Sequence, residues 1–301
     1  MKSRRLSHAL GVEVSELNLV TDLGTSEMAD LRALWAEHLL IVFPRQQLTG
    51  ADMLRIANAF VGSSLAELHP ERTAGPCSAG MPIVGEWDGY KDGHNWHSDK
   101  SFTTEPTAGT MLYCHATPVV GGDTMFANMY TAYESLSPKM RGIVETLSAV
   151  HVRNLRLRPL YRPTPDGSDT VHRSIAEVER RHSASGVASV HPIVLIHPET
   201  QRKALYVGSR IDHIVGMRRA ESDAMVRFLS EHAATLEFTY RHHWDVHDLV
   251  LWDNRCLLHM ALCDYDVERE RREFTRCVIV GEAGSEPLDF EDDRDTLQFE
   301  S

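Results

Sequence analysis

The chain has 301 residues, 42% of them hydrophobic and 25% charged, an ordinary globular composition with enough apolar material for a sizeable core. No apolar run reaches the roughly 18 residues that would predict a membrane span, and the first residues lack the apolar stretch of a secretory signal. The formal net charge is −12, of which residues 282–300 contribute −7 (eight acidic residues, one arginine) and the rest −5; this acidic end beside a near-balanced body argues against nucleic-acid binding.

Two helices and a strand are predicted before Gly80. Ser26 to His38 has the spacing of an amphipathic helix, with Ser26 as its N-cap. Leu39 to Pro44 has the composition of a short buried strand that ends at the proline, and a second helix is predicted from about Gly50 to Phe60.

After Gly80 the pattern changes to short β-rich runs, several of them separated by turn signals such as Gly121-Gly122. Two helices interrupt these runs: one from Ser137-Pro138, an N-cap and a first-turn proline, to about Leu147, and one from Ala220 to Ala234. The predicted strands are Ala108–Thr117, Asp123–Met129, Val190–Ile196, Ala204–Val207, Leu236–Trp244, Leu249–Trp252 and Phe274–Val280. Many short strands with few helices indicate a mainly β sandwich or barrel with helices packed outside.

The stretch from Arg158 to Ser189 is long, polar and without clear periodicity. Loops of that length in a compact domain are usually functional lids or disordered insertions, and the sequence does not decide between the two. We therefore expect a single domain over residues 1–283 with a lid-like insertion near 158–189. Residues 284–301 are expected to form a solvated, disordered acidic tail.

The cysteines are odd in number and include no C-x-x-C pair; they are Cys77, Cys114, Cys256, Cys263 and Cys277. This pattern favours a reduced chain in the cytoplasm and argues against a zinc site built from thiolates. The sequence leaves the oligomeric state open, a homo-oligomer included.

The segment Asn95-Trp96-His97-Ser98-Asp99 contains a candidate metal site. Residues i and i+2 of a strand share a face, so His97 and Asp99 can reach one metal ion. Ferrous oxygenases use two histidines and one carboxylate on one face of the iron. An H-x-D pattern alone is weak evidence, because 17 histidines make a chance match expected and a second match occurs at His243-Trp244-Asp245.

Downstream residues favour His97 and Asp99 over the second match. The apolar run that starts at Leu249 leads through a polar turn to His259, and Arg272 and Arg276 follow. On a strand, residues four apart share a face, so both guanidinium groups can point into the same cavity. Arginine grips carboxylates in a bidentate manner. A ferrous triad with a nearby arginine is what a 2-oxo dicarboxylic acid requires, since the metal chelates its 2-oxo acid end and the arginine anchors its far carboxylate.

Each of these residues alone is more often structural than functional. A single histidine such as His97 or His259 is usually a surface or core residue, and Arg272 with Arg276 would usually be a solvated charged edge. The second match, at His243, lies in an alternating run typical of a half-exposed strand. It is the occurrence of all these residues in this order that favours a metal site.

These motifs resemble the taurine/2,4-dichlorophenoxyacetate dioxygenases, a family of Fe(II)- and 2-oxoglutarate-dependent enzymes that also use O₂. The resemblance covers about residues 8–283, in the family's order. The matching segments are NWHSD (Asn95–Asp99), GGDTMFANM (Gly121–Met129), HPIVLIHPET (His191–Thr200), LWDNRCLLH (Leu251–His259) and REFTR (Arg272–Arg276). The resemblance implies a double-stranded β-helix, or cupin-like jelly-roll, core with flanking helices, and a small-molecule substrate.

The same resemblance implies that His97, Asp99 and His259 bind the iron. Thr124 resembles the threonine that hydrogen-bonds a 2-oxoglutarate carboxylate, and Arg272 resembles the arginine that pairs with the distal carboxylate.

Arg276 resembles a second arginine, which lies close to the acidic group of the substrate or to the cosubstrate, and the division of roles between the two arginines stays open. By resemblance, His69, Asn95, Arg153 and Arg210 are candidates to line the substrate pocket. Arg210 and Arg276 make an anionic substrate plausible.

The expected reaction is hydroxylation of a small, anionic substrate with release of succinate and CO₂. The carboxylate of Asp99 argues against halogenation, which needs an open metal position there. Desaturation, cyclisation and oxidative cleavage remain alternatives, as do a metal enzyme that does not use 2-oxoglutarate and a non-catalytic binding protein. The chain departs from the family pattern at His247, where glycine is common, at Met260, and in a slightly longer loop at 261–271.

Overall fold

The computed structural model describes residues 1–61, 71–74, 95–104, 107–152, 188–266 and 269–280. The α-helices of the described part are α1 (Thr25–His38), α2 (Gly50–Val61), α3 (Met129–Glu134), α4 (Pro138–Val144) and α5 (Arg219–Ala233). The strands are β1 (Lys2–Arg5), β2 (Val12–Ser15), β3 (Leu40–Phe43), β4 (Glu71–Ala74), β5 (Thr107–Ala116), β6 (Thr124–Asn128), β7 (Ser148–Val152), β8 (Ala188–Pro192), β9 (Val194–Ile196), β10 (Lys203–Leu205), β11 (Ile211–Ile214), β12 (Thr239–His242), β13 (Leu249–Asp253), β14 (Leu257–Ala261) and β15 (Glu273–Val280).

The largest sheet has seven strands in the order β1-β2-β3-β13-β5-β15-β4, in which every pair is antiparallel except the parallel β2–β3 pair. Three smaller sheets have the strand orders β12-β6-β14, β11-β7-β8 and β10-β9. Because β6 lies between β12 and β14, the strand that begins at Thr124 is held on both sides.

Strand β13 shows how the core is arranged. All residues from Leu249 to Asp253 are buried, and alternate side chains point to opposite faces of the sheet. Leu251 belongs to the hydrophobic cluster that contains Trp35 of α1, whereas Trp252 packs against Phe126 of β6 with ring centroids 5.5 Å apart. Helices therefore cover one face of the large sheet and the β6 sheet covers the other, which agrees with the predicted mainly β sandwich with outer helices.

Helix α1 begins earlier than its sequence suggested. Its N-cap is Gly24, not Ser26, because Glu27 reaches back and its carboxylate accepts the Gly24 N–H at 3.0 Å. Ser26 lies inside the helix, so its prediction as the cap was wrong. The prediction for α4 is confirmed at its start, since the Ser137 side chain accepts the N–H of Met140.

Two predicted strands are divided in the structure. The run predicted as one strand over Val190–Ile196 forms β8, which pairs with β7, and β9, which pairs with β10. The run Leu236–Trp244 begins with a 3₁₀ turn, Leu236–Phe238, before β12. Pairing partners distant in sequence, β7 and β10, decide the first case. The elements that the patterns did not predict are β1, β2, β4, β7, β11, β14 and α3.

Several predictions fall wholly or largely outside the described residues. Of the predicted insertion 158–189, Ala188 and Ser189 are described, and both belong to β8. The predicted tail at 284–301 lies outside, as do His69 and Arg153.

Three cysteines, Cys114, Cys256 and Cys277, are free and buried. Cys263 is disulfide-bonded, so the prediction of a fully reduced chain was wrong for this residue. None of the helices among the described residues is long and apolar enough to cross a membrane.

His247 explains one departure from the family pattern. Its φ is 72°, in the left-handed region where glycine is most easily accommodated. Its Nδ1 lies 2.7 Å from the Tyr113 hydroxyl, which itself donates to the backbone carbonyl of Gln46. The imidazole therefore gains a specific partner at a position where the backbone conformation disfavours a side chain.

Asp248, directly before β13, is a buried acid beside a buried base. Its Oδ2 accepts the Asp245 N–H at 3.1 Å and lies 3.6 Å from His242 Nε2. Burial raises the pKa of Asp248 to about 6. Burial also lowers the pKa of His242 to about 4. At neutral pH an ionised carboxylate therefore faces a neutral imidazole.

Replacing Asp248 with Asn should flatten the pH dependence of stability between about pH 4 and 6. The ordinary pKa of the carboxyl is 3.8, whereas in the folded protein it is about 6. Over this interval the folded protein therefore holds a proton that the unfolded chain has lost. The wild-type free energy of unfolding should decline as pH rises through the interval, by at most about 3 kcal/mol from this group. Urea unfolding across these pH values measures the difference, with the exposed Asp30→Asn as control. Parallel profiles for Asp248→Asn and wild type would contradict the assignment.

Candidate active site

His97 and His259 are brought together by backbone pairing. The His97 N–H donates to the His259 carbonyl at 3.1 Å, and the His259 N–H donates to the His97 carbonyl at 2.9 Å. This isolated antiparallel bridge joins the segment after residue 94 to β14, and the two imidazole centroids lie 4.2 Å apart. Asp99 completes the group: its Oδ1 is 3.8 Å from His97 Nε2 and 3.7 Å from His259 Nε2.

The electrostatics of this group suit a divalent cation. Although burial alone would raise it, the pKa of Asp99 is lowered by its neighbours His259, Arg276 and His97 and by the hydrogen bond from Thr110. Burial lowers the pKa of His259 to about 3, which keeps its imidazole neutral. His97 Nδ1 lies 2.7 Å from the Asn95 carbonyl oxygen and must donate to it, which leaves Nε2 as the ring nitrogen that faces Asp99.

The donor set fits a ferrous ion. One ligand atom from each of the three buried residues lies within 4.8 Å of the others. Two imidazoles and one carboxylate arranged in this way form the facial set of non-haem iron oxygenases.

A second buried group, His197, Asp253 and Cys256, also has ligand atoms within 4.8 Å of one another. Its hydrogen bonds are already satisfied inside the protein. His197 Nδ1 accepts two backbone N–H groups, its Nε2 lies 3.0 Å from Asp253 Oδ2, and Arg255 binds the same carboxylate through Nε and Nη2. No imidazole lone pair is left for a metal, so we assign this group a structural role.

Thr124 and Arg272 form a second cluster of converging donors. Arg272 donates through Nε to the Gly122 carbonyl at 2.7 Å and through Nη2 to Thr124 Oγ1 at 3.1 Å. Trp244 Nε1 also donates to Thr124 Oγ1, at 3.0 Å. Both lone pairs of the threonine hydroxyl are thus occupied, and its own hydrogen is left to donate to another acceptor.

The surroundings of Arg272 favour the binding of an anion. Burial lowers its pKa, and no carboxylate among the described residues lies within salt-bridge distance of it. An anionic oxygen at this position would accept from both Thr124 and Arg272.

The second H-x-D match, His243-Trp244-Asp245, contributes Trp244 to the cluster around Thr124 and Arg272. His243 pairs with Asp123 at 2.9 Å and its side chain is largely exposed, so it does not join a metal group. Trp244 is buried and reaches Thr124. Sequence reasoning missed this role, although the alternation of the run, which places His242 and Trp244 inside, was a usable signal.

The remaining candidates have defined places. Arg276 Nη1 lies 3.4 Å from Asp99 Oδ1. The guanidinium of Arg210 lies 5.4 Å from the centre of the Phe102 ring, and its charge contributes to lowering the pKa of His259. Asn95 takes part through its backbone carbonyl, which accepts from His97.

The turn before Thr124 is fixed by the loop that follows His259. Asp264 Oδ1 accepts the Gly122 N–H at 2.9 Å. Gly121 has a φ of +82°, and a Cβ there would overlap the Asp264 carbonyl oxygen. The loop at 261–271, predicted to be altered in this chain, thus reaches the donor cluster through Asp264.

Comparisons with known proteins agree with this geometry. Residues 2–278 match the family model described as "Taurine catabolism dioxygenase TauD, TfdA family". The chain is 31% identical over 268 residues to the (S)-phenoxypropionate/alpha-ketoglutarate-dioxygenase of Sphingobium herbicidovorans, covering 88% of this chain and 90% of that one. It is 30% identical over 294 residues to the alpha-ketoglutarate-dependent 2,4-dichlorophenoxyacetate dioxygenase of Cupriavidus pinatubonensis, covering 91% and 95%. The crystal structure of AAD-2 in complex with Mn(II) and N-oxalylglycine superposes with a TM-score of 0.72 at 26% identity, over 95% of this chain and 98% of that one.

Replacing Gly121 with Ala should destabilise the protein and loosen the turn before Thr124. The positive φ and the contact with the Asp264 carbonyl both oppose a methyl group, with an expected cost of about 1–3 kcal/mol. Thermal and urea unfolding measure the loss. Gly142→Ala is the matched control, because a Cβ at position 142 meets no atom within 4 Å. Gly142 lies in α4, and alanine is more favourable than glycine in a helix. Equal stability of the two variants would contradict the proposed constraint.

Proposed function

The chain belongs to the taurine catabolism dioxygenase TauD, TfdA family, and from this membership and the site geometry we propose that His97, Asp99 and His259 hold its iron. The protein is an Fe(II)- and 2-oxoglutarate-dependent oxidoreductase with a double-stranded β-helix core. The observation that carries the assignment of ligands is the position of Asp99 Oδ1, almost equally far from the two imidazole Nε2 atoms.

Iron held by these residues would supply the oxidising chemistry with O₂, and 2-oxoglutarate would be converted to succinate and CO₂. The protein side chains orient the reactants. Thr124 and Arg272 are proposed to bind the distal carboxylate of 2-oxoglutarate, because they present converging donors and the half-buried Arg272 has no acidic partner among the described residues. Arg276 already contacts Asp99, so we place it closer to the metal, beside the reacting end of the cosubstrate or the substrate.

We propose that the substrate is a small anion and that the reaction is hydroxylation. Arg210 and Arg276 both act electrostatically on the proposed metal ligands, and we propose that their charges attract the anionic group of the substrate. Phe102, beneath the Arg210 guanidinium, supplies an apolar surface beside this charge. The two relatives described above are named for carboxylates with an aromatic part, phenoxypropionate and 2,4-dichlorophenoxyacetate, a chemistry that suits this combination.

Replacing Asp99 with Ala should abolish O₂-dependent conversion of 2-oxoglutarate to succinate. The loss of a proposed ligand should exceed the roughly 10–100-fold that loss of an outer partner of a metal ligand costs. Succinate release and the visible charge-transfer band formed anaerobically with Fe(II) and 2-oxoglutarate are the measurements. Asp245→Ala, the exposed carboxylate of the second H-x-D match, is the control and should behave like wild type. Retained turnover in Asp99→Ala would refute the ligand assignment.

A substrate panel tests the proposed charge. Aryloxy carboxylates, sulfonates and sulfate esters are compared with their neutral amides or methyl esters for substrate-dependent succinate release. We expect turnover with anions alone, and Arg210→Ala should raise KM for the best anion by about 10-fold or more, since a charge-assisted hydrogen bond is lost. The exposed Arg227→Ala should leave KM unchanged. Equal turnover of the neutral compounds would overturn the proposal.

A further inference from the structure

Asn254 lies in the turn between β13 and β14, and the hydrogen-bonding capacity of its side chain is fully used. Its Nδ2 donates to Thr107 Oγ1 at 3.0 Å and to Thr110 Oγ1 at 2.9 Å. Its Oδ1 accepts from Trp252 Nε1 at 3.0 Å and from the Asp99 N–H at 3.4 Å. An amide has two N–H donors and two acceptor lone pairs, so all four are engaged.

The amide can take one orientation only. An indole N–H is a donor, so the atom of Asn254 that faces Trp252 must be the oxygen. Rotating the amide by half a turn would place its N–H₂ against the indole N–H and the backbone N–H of Asp99. The side chain is 1% exposed, so no water would relieve that clash of donors. The two N–H groups must therefore face Thr107 and Thr110.

This orientation determines what the two threonine hydroxyls do. Each accepts an N–H from Asn254, and each is then directed to give its own hydrogen to Asp99. Thr110 Oγ1 donates to Asp99 Oδ2 at 2.7 Å, and Thr107 Oγ1 donates to the Asp99 backbone carbonyl at 2.8 Å. The Asn254 amide thus contacts the backbone N–H of Asp99 directly. Through the two hydroxyls it also orients the hydrogen bonds to the backbone carbonyl and to one carboxylate oxygen of Asp99.

The two oxygens of Asp99 consequently differ. Oδ2 is committed to Thr110, whereas Oδ1 faces the imidazole nitrogens of His97 and His259. We infer that Asn254 is a positioning residue which, through Thr110 and Thr107, locks the Asp99 carboxylate so that Oδ1 alone is presented to the metal. The inference rests on the proposed function, because it presupposes that Asp99 is a ligand.

The place of Asn254 in the chain adds to this role. Asn254 lies in the turn that leads into β14, the strand that carries His259. Its own backbone carbonyl accepts the Ser98 hydroxyl at 2.7 Å. The turn that leads into the strand of one proposed ligand is therefore bonded to the segment that carries the other two. Neighbouring Asp253 is neutralised separately by Arg255 and His197, so its charge does not compete for the threonine hydroxyls.

The test compares Thr110→Val with Thr110→Ser by metal binding to the protein without cosubstrate. Valine has the shape of threonine but no hydroxyl, whereas serine keeps it. The dissociation constant for Co(II), measured by calorimetry or chelator competition, should rise about 10–100-fold in Thr110→Val and stay within about 3-fold of wild type in Thr110→Ser. Asn254→Asp should weaken binding similarly, because its second carboxylate oxygen would accept the threonine hydrogens in place of Asp99.

The outcomes separate this inference from the proposed function. If wild type binds one Co(II) and Asp99→Ala does not, while Thr110→Val and Asn254→Asp bind as wild type does, the lock is refuted and the ligand assignment stands. If Asp99→Ala binds Co(II) like wild type, the ligand assignment fails, and the lock fails with it. A purely structural role predicts a lower melting temperature of the metal-free variants with an unchanged dissociation constant, which would also overturn the inference. Thr110→Val removes the last hydrogen bond through which Asn254 acts on the carboxylate, so an unchanged dissociation constant in this variant refutes the lock even where Asn254→Asp does not fold.

Discussion

The backbone bridge between His97 and His259 is the constraint on which the proposed site depends. Its two hydrogen bonds tie a short segment without regular structure to the strand β14. Two residues 162 positions apart are thereby held with their imidazole centroids 4.2 Å apart. Because backbone groups rather than side chains make this connection, the two backbone positions from which the imidazoles project are fixed by strand pairing.

Charge is handled differently in the two buried polar clusters that meet at the turn after β13. Around Asp253, every charge has a partner within the chain, since Arg255 and His197 both bind the carboxylate. Around Asp99, the Nε2 atoms of His97 and His259 both face the ionised carboxylate, and burial keeps the His259 imidazole neutral. A divalent cation bound between these three side chains would supply the positive charge that the buried carboxylate faces on this side.

The sequence could predict most of the fold class and the set of candidate residues, but not their hydrogen bonding. The order of His97, Asp99, His259 and the two arginines was readable because chemistry restricts the residue types, and the fold class is confirmed by the family match and the superposed structure. The division of Val190–Ile196 between two sheets was not readable, because it depends on the pairing partners β7 and β10. The assignment of metal and cosubstrate residues stays a prediction until it is tested.

The roles of Asn254 and Trp244 were hidden for a common reason. Each acts on a threonine that is far away in sequence, and each matters through the direction of a hydrogen bond rather than through its own contact with a reactant. The Trp244 indole, which can only donate, donates to Thr124, and the Asn254 amide, which cannot rotate, donates to Thr110. Each threonine hydroxyl therefore accepts from that residue and directs its own hydrogen elsewhere. At Thr110 the hydrogen goes to a carboxylate of the protein, Asp99. At Thr124 no carboxylate of the described residues receives it, and the half-buried Arg272 beside it also has no acidic partner among them. A directed threonine hydroxyl thus has a carboxylate partner within the protein at Thr110 but not, among the described residues, at Thr124. A carboxylate of the dicarboxylic cosubstrate would supply the missing partner at Thr124.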